Sequence, residues 1–340
     1  MANNTAEIVD IKEVLDLRKD VTIRNLMERS EEIQSQCTDY MVVKANNHNI
    51  RFNDDAGITF VDSSTGHVHN LNLTHYSLSQ LGTKIGVPAR YLEKCVNSGR
   101  IDLAQDNVNS WLDGYDKDLF IRAYNDRARG ILSSKYSVCD TPEILGVVDD
   151  CVDLSKYKVK GSYLSEERLH VRLISKDMLP IDGEDLFAGL FLDSSDVGRN
   201  ILTVKFGIYK QVCTNGLVIA RAGGTLFEQK HIGITAEEFH NGLVKSLSNV
   251  DLLTEHAVEW VSEAKKKKAF SLEDTEEFIN RIRQQTNLSE ESANKVIELM
   301  KARYDMSRWG LINGITEVAQ DFTLERRLEL ERIAGNILTA

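Results

Sequence analysis

Residues 201–216 read ILTVKFGIYKQVCTNG, and the run is either a strand entering a turn or a nucleophile presented on one. Alternation favours the strand. Leu202, Val204, Phe206, Ile208 and Val212 fall on one side, and Thr203, Lys205, Gly207, Tyr209 and Gln211 on the other. That is the period-two pattern of a strand with one buried face. A catalytic Cys213 would need a base to lower its pKa and a positioned oxyanion site. CTNG supplies neither, whereas Asn-Gly suits a tight turn with positive φ. The expectation is a strand-end thiol at Cys213, a turn at Asn215 and Gly216, and no catalytic residue.

The same alternation recurs upstream. In RLHVRL, residues 168–173, Leu169, Val171 and Leu173 would be buried, leaving Arg168, His170 and Arg172 together. If both strands lie in one sheet, Arg168, Arg172, Lys205 and Tyr209 share an exposed face, with Arg199 and Lys210 beside it. FIRAYNDRARG, residues 120–130, adds a second basic-aromatic group of Arg122, Tyr124, Arg127 and Arg129. Cations follow phosphates and tyrosine rings stack on bases, the recipe for a single nucleic-acid strand. These residues form the expected nucleic-acid-binding set. The plain alternative is a solvated sheet face, or one covered by the C-terminal helices.

Around these strands the chain divides into a helical lead-in at 1–40, a mixed core with a central antiparallel sheet at 41–233, and a helical region at 234–340. In the lead-in, Ile8, Ile11, Val14, Leu15 and Leu17 approach helical spacing. Residues 77–99 read as two short helices around Gly86-Val87-Pro88. They also match a helix-turn-helix, but the second helix offers only Arg90, Lys94 and Asn97 against Glu93, so two packed helices is the preferred reading. A further helix starts at Thr141-Pro142-Glu143, with threonine as its cap. The fold class is α+β.

A net charge of -11 excludes a protein that coats duplex DNA by overall charge, but it leaves room for a local basic groove. The five cysteines have no CxxC pair, so neither a disulfide framework nor a zinc cage is expected. No apolar run nears about 18 residues and no targeting segment is evident, which predicts a cytoplasmic protein that neither spans nor needs a membrane. Asp149, Asp150 and Asp153, then Asp182, Glu184 and Asp185, then Asp193 and Asp196, could hold Mg²⁺ for phosphodiester cleavage. No compact signature joins them to a lysine. His67 and His69, with His75 beyond, lack an evident further zinc ligand. Phosphate-cradling and hydrolase motifs are absent, so no metal and no cofactor is expected. Lys265 to Lys268 read as a solvated helix end.

Three separated segments carry a resemblance. RAYNDRARGILSSKYSVCDTPEIL presents Ser133, Ser134 and Tyr136 followed by Asp140; the run ending in Val212 to Gly216 carries a Val-Cys-Thr-Asn-Gly signature; RWGLINGITEVAQDF supplies Trp309, Asn313, Thr316 and Glu317. Together they resemble the phage/plasmid-like family defined by a domain of unknown function, over about residues 40 to 330. Gly314 and Gln320 stand where alanine and histidine are common in that pattern, so any role of that histidine is absent here. The family is remotely similar to phage single-strand annealing proteins. The resemblance implies a mobile-element protein without an agreed activity. The basic-aromatic strand faces and the absence of a catalytic motif lead to the expectation of a protein that binds and anneals single-stranded DNA as a ring or filament of identical subunits, without catalysis. The rivals are an anti-defence protein that sequesters or mimics a host ligand, and a metal-dependent nuclease.

Overall fold

Strand and helix signals segregate along the chain, and the computed structural model assembles them into two sheets and a helical C-terminal body. It describes residues 15–17, 22–46, 48–159, 162–181, 183–210, 215–218, 225–269 and 275–339. Near the N-terminus the helical expectation is corrected. Leu15–Leu17 is a strand, β1, and the rest of residues 8–17 lies outside the described set. A sheet edge with unpaired backbone groups accepts an extended segment and satisfies its N–H and C=O groups. Helix α1 begins later, at Ile23–Ser35, where Thr22 and Asn25 form a capping box.

The first sheet comprises β2 (Cys37–Val42), β3 (Ile50–Phe52), β4 (Ile58–Val61), β5 (Val68–Leu73), β6 (Leu119–Tyr124) and β7 (Arg127–Ser133), in the order β2-β6-β7-β5-β4-β3. Its pairs are antiparallel except β5 with β7. Helices α2 (His75–Ile85), α3 (Ala89–Asn97) and α4 (Ile101–Asp113) enter between β5 and β6. They close a core around Phe52, Phe60, Leu78, Leu92, Val108 and Ile121. The expected pair of helices around Gly86-Val87-Pro88 is present, with Gly86 capping α2 at φ 76°.

Helix α5 (Thr141–Cys151) leads into the second sheet, built of β8 (Tyr157–Val159), β9 (Ser162–Leu164), β10 (Leu169–Met178), β11 (Leu186–Ser194), β12 (Leu202–Lys210), β13 (Asn215–Val218) and β14 (Thr225–Gln229). The path β1-β9-β10-β11-β12-β13 is antiparallel, with β8 on β10 and β14 on β12. Helices α6 (Ala236–Leu247), α7 (Val250–Lys266), α8 (Thr275–Thr286), α9 (Glu290–Ala302), α10 (Arg308–Val318) and α11 (Leu324–Leu338) complete the chain. Leu169, Val171, Leu190, Val204, Phe206 and Ile208 from this sheet share a core with these helices and with α1 and α5.

The α+β class and the C-terminal helical region are as the pattern predicts. The sheet differs: the strands form two sheets with separate cores. The turn also differs. Asn215 and Gly216 lie in β13, opposite Lys210 and Tyr209, as strand residues. Cys213, with Gln211, Val212 and Thr214, lies outside the described residues.

Candidate functional site

β6 and β7 carry Arg122, Arg127 and Arg129, and the structure turns the first and the last of them inward. Arg122 and Arg129 have no accessible surface. Arg122 donates through Nη1 and Nη2 to both oxygens of Asp140 (2.6 and 2.8 Å) and through Nε and Nη2 to those of Asp39 (2.9 and 3.0 Å). Nη1 also reaches the backbone carbonyl of Asp196 at 2.8 Å. Burial works to lower the Arg122 pKa, but the Asp140 and Asp39 carboxylates outweigh it and hold the guanidinium above the ordinary arginine range. Arg129 donates to the carbonyl of Glu166 at 2.6 Å and stands 3.5 Å from Asp196 Oδ2.

These contacts join the two sheets. Arg122 and Arg129 belong to the first, while Glu166 and Asp196 lie in the β9–β10 and β11–β12 loops of the second. The backbones meet closely there, since a Cβ at Gly130 would stand 2.9 Å from Val197 Cβ. The seam also resets the start of α5. Asp140, not Thr141, is the N-cap, and its side chain makes no capping bond because Arg122 holds it. The orphan donors at that helix end turn instead to Asp196 Oδ1, which accepts from the Thr141 N–H (3.1 Å) and hydroxyl (2.9 Å). Burial pushes the Asp196 carboxyl up to about 6 and the Asp140 charge adds to it, against the pull of Arg129 and Arg122.

The remaining expected residues divide. Tyr124 is buried, with Arg127 over its ring at 5.4 Å. Arg172 is buried, 3.3 Å from the equally buried Glu331 of α11, and Tyr209 packs with Ile174 and Phe187. The expected open face of β10–β12 is therefore corrected: its middle is covered, because the C-terminal helices supply more surface than one sheet face needs. Lys210 donates to Glu184 at 2.7 Å and to Asn313 Oδ1 at 3.4 Å, and the Trp309 indole N–H meets Glu184 at 2.8 Å. This knot ties α10 to the sheet around a gap of about 10 Å³, room for at most one water.

Arg127, Arg168, Arg199 and Lys205 retain solvent access. Arg127 and Arg199 converge on the loop that joins β9 to β10, which itself carries Arg168. Arg127 lies 3.7 Å from Glu166, and Arg199 pairs with Glu167 at 2.8 Å. Arg168 reaches Asp193 at 3.3 Å and, through Nε, the Asn200 amide oxygen at 2.8 Å. Lys205 sits one pair along the same face from the position opposite Asp193. Tyr76, at the first turn of α2, lies under Arg199, 5.3 Å from ring centre to guanidinium. No sequence signal marked Tyr76, because its partner is 123 positions away.

The carboxylates considered for metal binding are dispersed. Asp193 is taken by His170 (2.8 Å) and Arg168, Asp196 by the seam, and Asp182 lies outside the described residues. Among the described residues no group of three or more His, Cys, Asp or Glu is arranged to hold a metal. His69 packs against Tyr40 and Phe60. Lys265 lies 3.8 Å from Glu184, and Lys267 pairs with Glu263 at 3.2 Å, so the lysine run is partly engaged. A cleft of about 750 Å³ lies between α1 and β8, but Arg24, Lys158 and Lys176 on its walls are matched by Glu28, Glu31 and Asp149, with no convergent set to orient a ligand. No described helix is long and apolar enough to cross a membrane.

A family model described as a domain of unknown function, DUF932, matches residues 128–334, from β7 to α11. No curated protein and no solved structure matches the chain.

Proposed function

Since the chain belongs to the DUF932 family, whose description assigns no activity, we propose its function from surface chemistry: it binds single-stranded DNA without catalysis, as an annealing-type recombination protein of a mobile element that works as an oligomer. The observation that carries this reading is the clustering of Arg127 and Arg199 about the short loop that carries Arg168, with the Tyr76 ring beneath Arg199. Lys205 extends the cluster along the sheet. Guanidinium groups contact phosphates while an aromatic ring receives a base. Glu166, Glu167 and Asp193 offset part of this charge and hold the arginines in place, leaving an excess of one positive charge in a chain of net -11.

A gel shift with a labelled oligonucleotide over a salt series tests the proposal. The expected result is binding that weakens steeply with salt, as counterion release requires. The double substitution Arg168→Gln and Arg199→Gln should weaken it by roughly tenfold, about 1.4 kcal/mol, with an unchanged far-UV spectrum. No binding at low salt, or binding indifferent to salt, would sink the reading. Mass photometry with and without the oligonucleotide reports assembly alongside binding, and a monomer in both conditions would remove the oligomeric part.

A further inference from the structure

Helix α3 is amphipathic in an unusual sense for this acidic chain. It buries Leu92, Cys95 and Val96 and turns Arg90, Tyr91, Lys94 and Asn97 outward. Arg100, after Ser98 and Gly99, is also exposed. Arg90, Lys94 and Arg100 make no ion pair among the described residues, unlike Arg122, Arg129 or Arg172. The one acid of α3, Glu93, is engaged 3.0 Å away by His75.

Beside α3 runs α4. Its Asn107 donates to the Tyr91 hydroxyl at 3.2 Å and to the Leu103 carbonyl at 2.8 Å, tethering the tyrosine at the helix–helix boundary. One turn further along the same side stands Trp111, 61% exposed. Two large aromatic side chains left in water, flanked by three uncommitted cations, are not needed for packing: the core of this unit is closed by Leu92, Val96, Val108 and Leu112. Asp102, Asp106 and Asp113 are the exposed acids of α4.

The patch is also continuous with the arginine cluster. Arg199 lies over Tyr76. The preceding residue, His75, meets Glu93, which sits between Arg90 and Lys94 on α3. From there the tethered Tyr91 and Asn107 lead to Trp111.

We propose that α3 and α4 form a base-stacking platform for a single DNA strand, with Tyr91 and Trp111 receiving bases and Arg90, Lys94 and Arg100 holding phosphates. The proposal rests on the single-strand reading above and extends the binding track beyond the loop arginines, into the part of the chain that precedes the DUF932 match. A duplex is a poorer occupant, because its bases are already stacked on one another and offer no face to an exposed ring.

The test titrates the full chain with oligothymidylate, and with an abasic deoxyribose-phosphate strand of equal length, following anisotropy and tryptophan emission. Trp309 is buried and Trp260 partly so, so Trp111 is the indole open to a base. Oligothymidylate should quench emission, and Trp111→Phe should abolish that quench. Trp111→Ala and Tyr91→Ala should each weaken binding by roughly tenfold, the scale of a lost base stack, while Tyr91→Phe binds as the wild type does. The abasic strand should bind wild type and Trp111→Ala alike. Aromatic variants with unchanged affinity overturn the platform and leave the arginine cluster standing. Equal binding of the two strands by wild type overturns base stacking at the platform and at Tyr76 alike and leaves only the phosphate contacts of the arginines. Failure of wild type to bind oligothymidylate at low salt overturns the single-strand reading and the platform together.

Discussion

Asp196 concentrates the chemistry of the seam in one carboxyl. It faces Arg122, Arg129, Asp140 and Thr141, and burial raises its pKa from 3.8 to about 6. Between those values the folded protein holds a proton that the unfolded chain releases, so this group's contribution to stability is full below about 4 and is lost as pH rises through about 6. Glu167, also raised by burial, acts in the same sense. His231, lowered by burial, acts in the opposite one as pH rises toward 6.5. Asp196→Asn keeps an oxygen for the Thr141 donors and removes the titration. Urea denaturation at pH 4.5 and pH 7 should therefore show a smaller stability loss across that interval in the variant than in wild type. Parallel behaviour of the two proteins would mean that Asp196 does not titrate there.

At the scale of the element, the α2–α3 corner depends on Gly82. A Cβ at this position would stand 2.4 Å from the Val87 carbonyl oxygen, a backbone atom with no freedom to withdraw. Alanine favours a helix over glycine by about 1 kcal/mol, but overpacking costs about 1–3 kcal/mol, and against backbone the clash prevails. Gly82→Ala is expected to lower the stability by about 1–2 kcal/mol and the thermal midpoint with it; a variant as stable as wild type would show that the corner opens freely. Helix α5 shows tertiary contacts taking over a cap. Asp140, with Glu143 three positions on, is the N-cap, yet its carboxylate is held by Arg122 and Asp196 accepts from the Thr141 donors in its place.

For the whole molecule, the separate cores of the two sheets make the charged seam between them a coupling device. Removing one partner of a buried ion pair costs roughly 3–5 kcal/mol, because the other charge is left without compensation. Arg122→Leu strands Asp140 in this way, and the loss should exceed that of any single substitution on the exposed arginine cluster. Hydrogen exchange should then show amides of β2–β7 and α2–α4 exchanging well before those of β10–β12 and α10, whereas wild type exchanges them closer together. Unchanged relative protection of the two halves would show that the seam does not couple them.

Alternation in β10 and β12 and the apolar spacing of the later helices were enough to predict the α+β class, the packed helices around Gly86 and the helical C-terminal region, because period-two and period-3.6 patterns are written in neighbouring residues. Local spacing could not tell which face of a strand is covered. RLHVRL and FIRAYNDRARG look like solvated basic strands, yet Arg172 lies against Glu331 and Arg122 against Asp140 and Asp39, partners 159, 18 and 83 positions away. The same holds for Tyr76 beneath Arg199. Trp111 lies in a run whose apolar stripe specifies a helix but does not say which flank that helix leaves open. Charge and periodicity along the chain thus determined what kinds of elements form. Only the tertiary structure decided which arginines bind the protein to itself and which keep solvent access, since that depends on which carboxylates the folded chain brings within hydrogen-bonding distance.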